Sequence, residues 1–210
     1  KLIEKTFSQK DNKDVIIKVA KNKNEINISN LAEKNAKQAL KQKLIQSDTN
    51  NNLIDELASK FNLNNSIELI EVYDNSHIQG TDSVGSLICF GNEGFVKKRY
   101  RKFNIKDEKI KNDDYGMMKE VLFRRFSKAI KEKSGSLTLP DLIIIDGGKG
   151  QYSVSREILN ELGLHDLPIL AVAKGKKRNA GEEKIYHKGK EYVLSRNNPL
   201  LFFIQRLRDE

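Results

Sequence analysis

The run Leu142-Ile143-Ile144-Ile145, closed by Asp146-Gly147-Gly148, constrains the fold more than any other part of the chain. Consecutive large aliphatic residues with no polar alternation bury both faces of a strand, so this run reads as the centre of a sheet covered on both sides. Helical spacing lies on either side of it. Met118, Val121, Leu122, Phe126, Ala129 and Ile130 mark an amphipathic helix before the run, and Val154, Ile158 and Leu162 mark one after it, stopped by Gly163. Ile169 to Ala173 then repeats the buried-strand pattern.

Upstream, Ile67 to Val72 reads as a strand ending in Asp74-Asn75-Ser76-His77, and Ser83 to Phe90 as its neighbour. Gly94-Phe95-Val96 leads into a third strand, Lys97 to Phe103, and the short joins favour an antiparallel meander. Downstream, a hairpin turns at Gly189 between Tyr186 and Val193, and Asn198-Pro199 caps a last helix through Leu207. The class is therefore α/β, with a mixed sheet flanked by helices. The first 65 residues are sparser in large apolar groups: a strand at Val15 to Val19, a helix from Asn30 to Leu44, a polar break at Ser47 to Asn52, and a short helix around Leu53, Leu57 and Phe61. They read as a connector or accessory segment, 1–65, ahead of a main domain, 66–210.

The 38 Lys and Arg residues outnumber 29 Asp and Glu, a formal charge of +9 that favours polyanionic partners. A lone cysteine, Cys89, excludes an internally bridged secreted scaffold. No apolar run is long enough to cross a bilayer and the start lacks a signal-type block, so the expectation is a soluble, cytoplasmic protein without a membrane partner. The chain opens without Met and stops inside a helical pattern, as a piece of a longer polypeptide would.

Asp74 and Asp146 each follow an apolar strand at its carboxyl end, where such sheets present ligand-contacting side chains. If the two strands are neighbours the carboxylates converge, and like charges held together need a counter-ion. A hard divalent cation, Mg²⁺ or Mn²⁺, would supply it. Asp114, at the start of a helix, falls on the face that packs against the sheet, while Asp113 is placed as the N-cap. Two readings stand side by side: a metal cluster of Asp74, Asp114 and Asp146, or turn-forming aspartates after strands with a first-turn helix charge. His77 is close enough in the chain to approach Asp74 as an accessory group, or is an ordinary turn histidine; His165 and His187 read as surface residues.

Metal-bound carboxylates at sheet ends suit phosphodiester hydrolysis, and the basic balance points to a nucleic-acid backbone. The candidate phosphate contacts are Lys97, Lys98, Arg99, Arg101 and Lys102 on the third strand, Arg124 and Arg125 on the helix, Lys149 in the glycine-rich turn, and Lys174, Lys176, Lys177 and Arg178 after a strand end; the plain alternative for each is a solvated face. Asp146 to Gln151 is not a nucleotide-binding P-loop, because Gly150 stands where Ser or Thr would be needed. Its glycines allow a tight strand-to-helix turn.

Taken together, Tyr73 to Gly80, Tyr100-Arg101-Lys102-Phe103, Asn112-Asp113-Asp114-Tyr115, Leu139-Pro140-Asp141 through Gln151, Ala173-Lys174-Gly175 and Gln205 to Glu210 resemble the C-terminal endonuclease domain of UvrC, the nuclease subunit of bacterial nucleotide excision repair. The resemblance implies a ribonuclease H-like fold and a metal-dependent cut on the 5′ side of a DNA lesion. It implies that Asp74, Asp114 and Asp146 match the family's functional aspartates. It also implies a catalytic histidine just beyond Arg208-Asp209-Glu210, outside this sequence, so the expectation is a folded, metal-competent chain of impaired activity. DNA is the expected partner, and the UvrB–DNA complex only through parts of the full-length protein outside this chain. A non-catalytic basic scaffold, or a ribonuclease H-like nuclease on other substrates, are the competing functions.

Overall fold

A computed structural model describes residues 2–11, 13–63, 66–78, 82–107, 110, 113–131, 138–175 and 183–210. The chain divides into two compact units, Lys1–Ile45 and Gln46–Glu210. No helix among the described residues is long and apolar enough to cross a membrane.

The first unit contains helix α1, Leu2–Asp11, and the start of helix α2, Lys23–Lys60. The expected strand at Val15 to Val19 does not form. The backbone N–H groups of Val15 and Ile17 donate instead to the Ser8 hydroxyl and the Glu4 carboxylate, and Ile16, Ile17 and Val19 are exposed. An apolar cluster becomes a strand only with a ladder partner, and none is present here among the described residues. The expected break at Ser47 to Asn52 is also absent: α2 runs through it, with no Gly or Pro there to interrupt its backbone ladder.

The second unit is built on one mixed sheet. Its strands are β1 (Leu69–Ile78), β2 (Asp82–Gly91), β3 (Gly94–Phe95), β4 (Arg101–Asn104), β5 (Leu142–Asp146), β6 (Ile169–Ala173), β7 (Lys184–His187) and β8 (Lys190–Val193). They lie in the order β3-β2-β1-β5-β6-β7-β8, with β4 also paired to β2. β1 runs antiparallel to β2 and parallel to β5, which runs parallel to β6, so the centre is parallel and both flanks are antiparallel. The expected third strand, Lys97 to Phe103, is split: Lys97–Arg99 forms a 3₁₀ turn and pairing to β2 resumes at Arg101. The Lys188–Gly189 turn between β7 and β8 has positive φ at both residues (46° and 75°), the geometry of a two-residue hairpin.

Alternation along β1 and β5 sorts side chains into two cores. Ile70, Val72, Leu142 and Ile144 pack with Ile54, Leu57 and Phe61 of the α2 end and with helix α5, Pro199–Asp209. Tyr73, Ile143 and Ile145 face helices α3, Asp114–Lys131, and α4, Lys149–Glu161. The expected caps are present: Asn198 accepts from Leu200 N at 2.8 Å before Pro199, and Gly163 takes φ 76° after α4. Through α3 the second core carries a buried ion pair, Arg125 to Glu71 at 2.6 Å, with the Tyr73 hydroxyl donating to the other Glu71 oxygen at 2.6 Å.

Candidate active site

Tyr73 and Ile145 are register partners, so Asp74 and Asp146 stand at the next position on adjacent parallel strands. Both continue the parity of Val72 and Ile144, and therefore share the sheet face covered by α5. Asp74 is half-buried, in a cavity of about 320 Å³ that it lines with Ser86, Arg208, Asp209 and Glu210. Burial, followed by the charge of Asp146, pushes its carboxyl above the ordinary aspartate range; Lys174 and the Asn75 N–H oppose the rise, and Asp114 adds a smaller push. The Lys174 ammonium meets Asp146 Oδ2 at 3.1 Å.

Asp114 is placed differently from the sequence expectation. As the first residue of α3 it is exposed, not packed on the sheet, because Asp113 occupies the cap and its carboxylate accepts from Tyr115 N at 3.0 Å. Asp114 approaches Asp146 across a second cavity of about 450 Å³, whose wall includes Tyr115, Gly147, Gly148 and Gln151. Two side chains whose importance no periodicity signals, Asn75 and Gln151, both donate to the Asp114 carbonyl at 3.0 Å.

Among the described residues, no three His, Cys, Asp or Glu groups are arranged to hold a metal ion. The Asp74–Asp146 pair nevertheless fits a hard divalent ion that keeps several waters and takes one or two carboxylates. The observation that favours this is the donor set itself, two carboxylates at matched positions on adjacent parallel strands, whose repulsion a cation would relieve.

The basic candidates separate. Lys98, Lys102 and Lys149 are exposed. Lys97 lies 3.4 Å from Glu210, Arg99 donates to the Thr138 hydroxyl, Arg101 to the Lys98 and Tyr100 carbonyls, and Arg124 to Asn104 O and Glu120, with its guanidinium 5.5 Å from the Phe103 ring centre. Arg125 leaves the set: 5% exposed and locked to Glu71, it presents no charge to a phosphate. Lys176, Lys177 and Arg178 lie outside the described residues, as does the side chain of His77. His187, expected on the surface, is buried: its Nδ1 lies 2.8 Å from Ile169 O, and burial holds its imidazole below the usual histidine range. The hairpin folds His187 back opposite the start of β6, a long-range pairing that the short interval from Lys184 does not reveal.

The family model described as the UvrC RNAse H endonuclease domain matches residues 58–210. The chain belongs to the UvrC family. The UvrABC system protein C of Cereibacter sphaeroides is 45% identical over 213 residues, which cover 100% of this chain and 34% of that protein. That of Hyphomonas neptunium is 46% identical over 215 residues, covering 100% and 35%. The chain thus spans about a third of the length of the UvrC relatives it matches. The mixed sheet with helices on both faces is the ribonuclease H-like architecture that the motifs imply for a UvrC endonuclease domain. Family identity also implies a metal-dependent mechanism.

Proposed function

We propose that this UvrC domain is a DNA endonuclease dependent on Mg²⁺ or Mn²⁺, making the 5′ incision of nucleotide excision repair. The observation that carries the reading is the juxtaposition of Asp74 and Asp146 at the carboxyl ends of adjacent parallel strands.

When bound, the divalent ion supplies Lewis acidity toward water and the scissile phosphate. Asp74 and Asp146 would hold it, with Asp114 assisting from the rim of the second cavity. Lys174 pairs with Asp146 at 3.1 Å, where its ammonium would also offset the charge of a phosphate brought to the site. Lys98, Lys102 and Lys149 hold the strand by its phosphates without reading its sequence. The UvrB–DNA complex is the partner of the full-length protein, reached through segments other than this domain.

The test is Mn²⁺-dependent nicking of supercoiled plasmid by the protein carrying this domain, against its Asp74→Ala/Asp146→Ala variant, with circular dichroism confirming the fold of both. Nicking lost in the variant supports the reading. Equal background from two folded proteins favours a basic scaffold that binds DNA without cutting it. Preference for an RNA–DNA hybrid over a lesion duplex would reassign the substrate.

A further inference from the structure

We propose that Asn75 and Gln151 are positioning residues that hold Asp114 in reach of Asp74 and Asp146 through the Asp114 carbonyl, an inference that rests on the metal-nuclease reading. Asn75 follows Asp74 on β1, and Gln151 lies in the first turn of α4, which Gly147 and Gly148 join directly to Asp146. Their amides come from two different elements and donate to one backbone oxygen, each at 3.0 Å. The Asp114 peptide is thereby tied to the chain segments that carry the other two carboxylates.

Helix formation does not call for these bonds. A carbonyl in the first turn of a helix is served by the backbone N–H four residues on, so side-chain donors to it fix where the helix sits rather than whether it forms. Because a carbonyl only accepts, both amides must turn their NH₂ ends to it. Asn75 Oδ1 and Gln151 Oε1 are then buried with no hydrogen-bond partner among the described residues. Buried acceptors are normally satisfied, so this arrangement costs stability and points to a positional role.

Gly147 leaves space for the stem of Gln151, since a Cβ there would lie 2.5 Å from Gln151 Cγ. Gly85, which faces Asn75 across the β1–β2 ladder, would bring a Cβ to 3.3 Å from Asn75 Oδ1, after first meeting Val121 Cγ2 at 2.3 Å. Asp114 itself begins an exposed helix end, one turn before the buried Met117 and Met118 of α3.

Direct Mn²⁺ titration by electron paramagnetic resonance tests this without reference to cutting. Asn75→Leu/Gln151→Met is expected to weaken Mn²⁺ binding about tenfold, as removal of an orienting partner does at other metal sites. Asn75→Ala/Gln151→Ala, which removes both donors without adding bulk or charge, serves if the first pair fails to fold. Asp114→Ala leaves the carbonyl and its two bonds in place while deleting the carboxylate. In that background the clamp substitutions are expected to weaken Mn²⁺ no further, whereas a general structural role would add its full loss. Saturating Mn²⁺ is expected to restore the nicking rate of the clamp variant. Undiminished Mn²⁺ affinity in a folded clamp variant, with binding abolished by Asp74→Ala/Asp146→Ala, would overturn the clamp and leave the nuclease reading standing. Mn²⁺ binding indifferent to Asp74→Ala/Asp146→Ala would overturn both.

Discussion

Asp74 and Asp146 sit side by side because Tyr73 and Ile145, one residue earlier on each strand, are register partners in the parallel pair β1–β5. A slip of one residue would send Asp146 to the α3 face and leave Asp74 on the α5 face. The continuous Ile143-Ile144-Ile145 run would not by itself forbid that slip, since it is apolar on both sides. The two cores do: Leu142 and Ile144 lie with α5, Ile143 and Ile145 with α3 and α4.

Asp74→Asn is expected to raise the melting temperature. The folded protein lifts the Asp74 carboxyl, chiefly by burial and then by Asp146, so its charged form at neutral pH is less favourable folded than unfolded. Calorimetry at pH 7 checks the direction; a lower melting temperature would contradict this account of the pair.

The Glu71–Arg125 pair is buried, with side chains 1% and 4% exposed. Arg125→Met alone leaves Glu71 as an uncompensated buried charge and is expected to cost about 3 to 5 kcal/mol in urea unfolding. Glu71→Leu and Tyr73→Phe together with Arg125→Met are expected to recover most of the loss, since the apolar set removes both buried charges and the hydroxyl that donates to Glu71.

At Gly85, β2 lies directly against Val121 of α3. A Cβ there would fall 2.3 Å from Val121 Cγ2, and Val121 is fully buried and restricted at χ1. Gly85→Ala is expected to destabilise by about 1 to 3 kcal/mol through overpacking, measured by urea unfolding. Shortening the opposing side chain, Gly85→Ala/Val121→Ala, relieves the clash, and the double variant is expected to be more stable than the sum of the two single losses.

His187 sets a pH dependence. Its imidazole is held below the histidine value of 6.5, first by burial and then against the Ile169 carbonyl by the charges of Lys188 and Arg156. The unfolded chain therefore binds a proton that the folded one refuses, and stability falls as pH drops through about 6.5 toward the folded value. Melting scans from pH 7.5 to about 5.5 are expected to show a steeper decline for the native chain than for His187→Gln.

Lys98, in the 3₁₀ turn, and Lys102, on β4, are both exposed. Replacing each with Ala is expected to weaken DNA binding evenly across sequences and to lower the salt slope of log K by about one per phosphate contact removed. Arg125→Lys is expected to leave that slope unchanged, because the guanidinium is committed to Glu71. Binding titrations at several salt concentrations report both.

By itself, the sequence determined the elements whose signals are local: the buried runs of β5 and β6, the helical spacing of α3 and α4, the Asn198 and Gly163 caps, and the aspartates that close β1 and β5. Each depends on neighbours within a few residues, so periodicity and capping chemistry suffice to read it. Only the tertiary structure decided matters set by partners distant in the chain. Val15 to Val19 found no strand to pair with, Lys97–Arg99 turned out of the ladder, Arg125 was drawn inward by Glu71, and His187 was folded beneath the start of β6. The place of Asp114 belongs with these. A helix's first residue reports its cap from sequence, but its distance from two strand ends is fixed by how α3 packs and by the amides of Asn75 and Gln151, since a helix can slide or turn on a sheet without changing a residue of its own pattern.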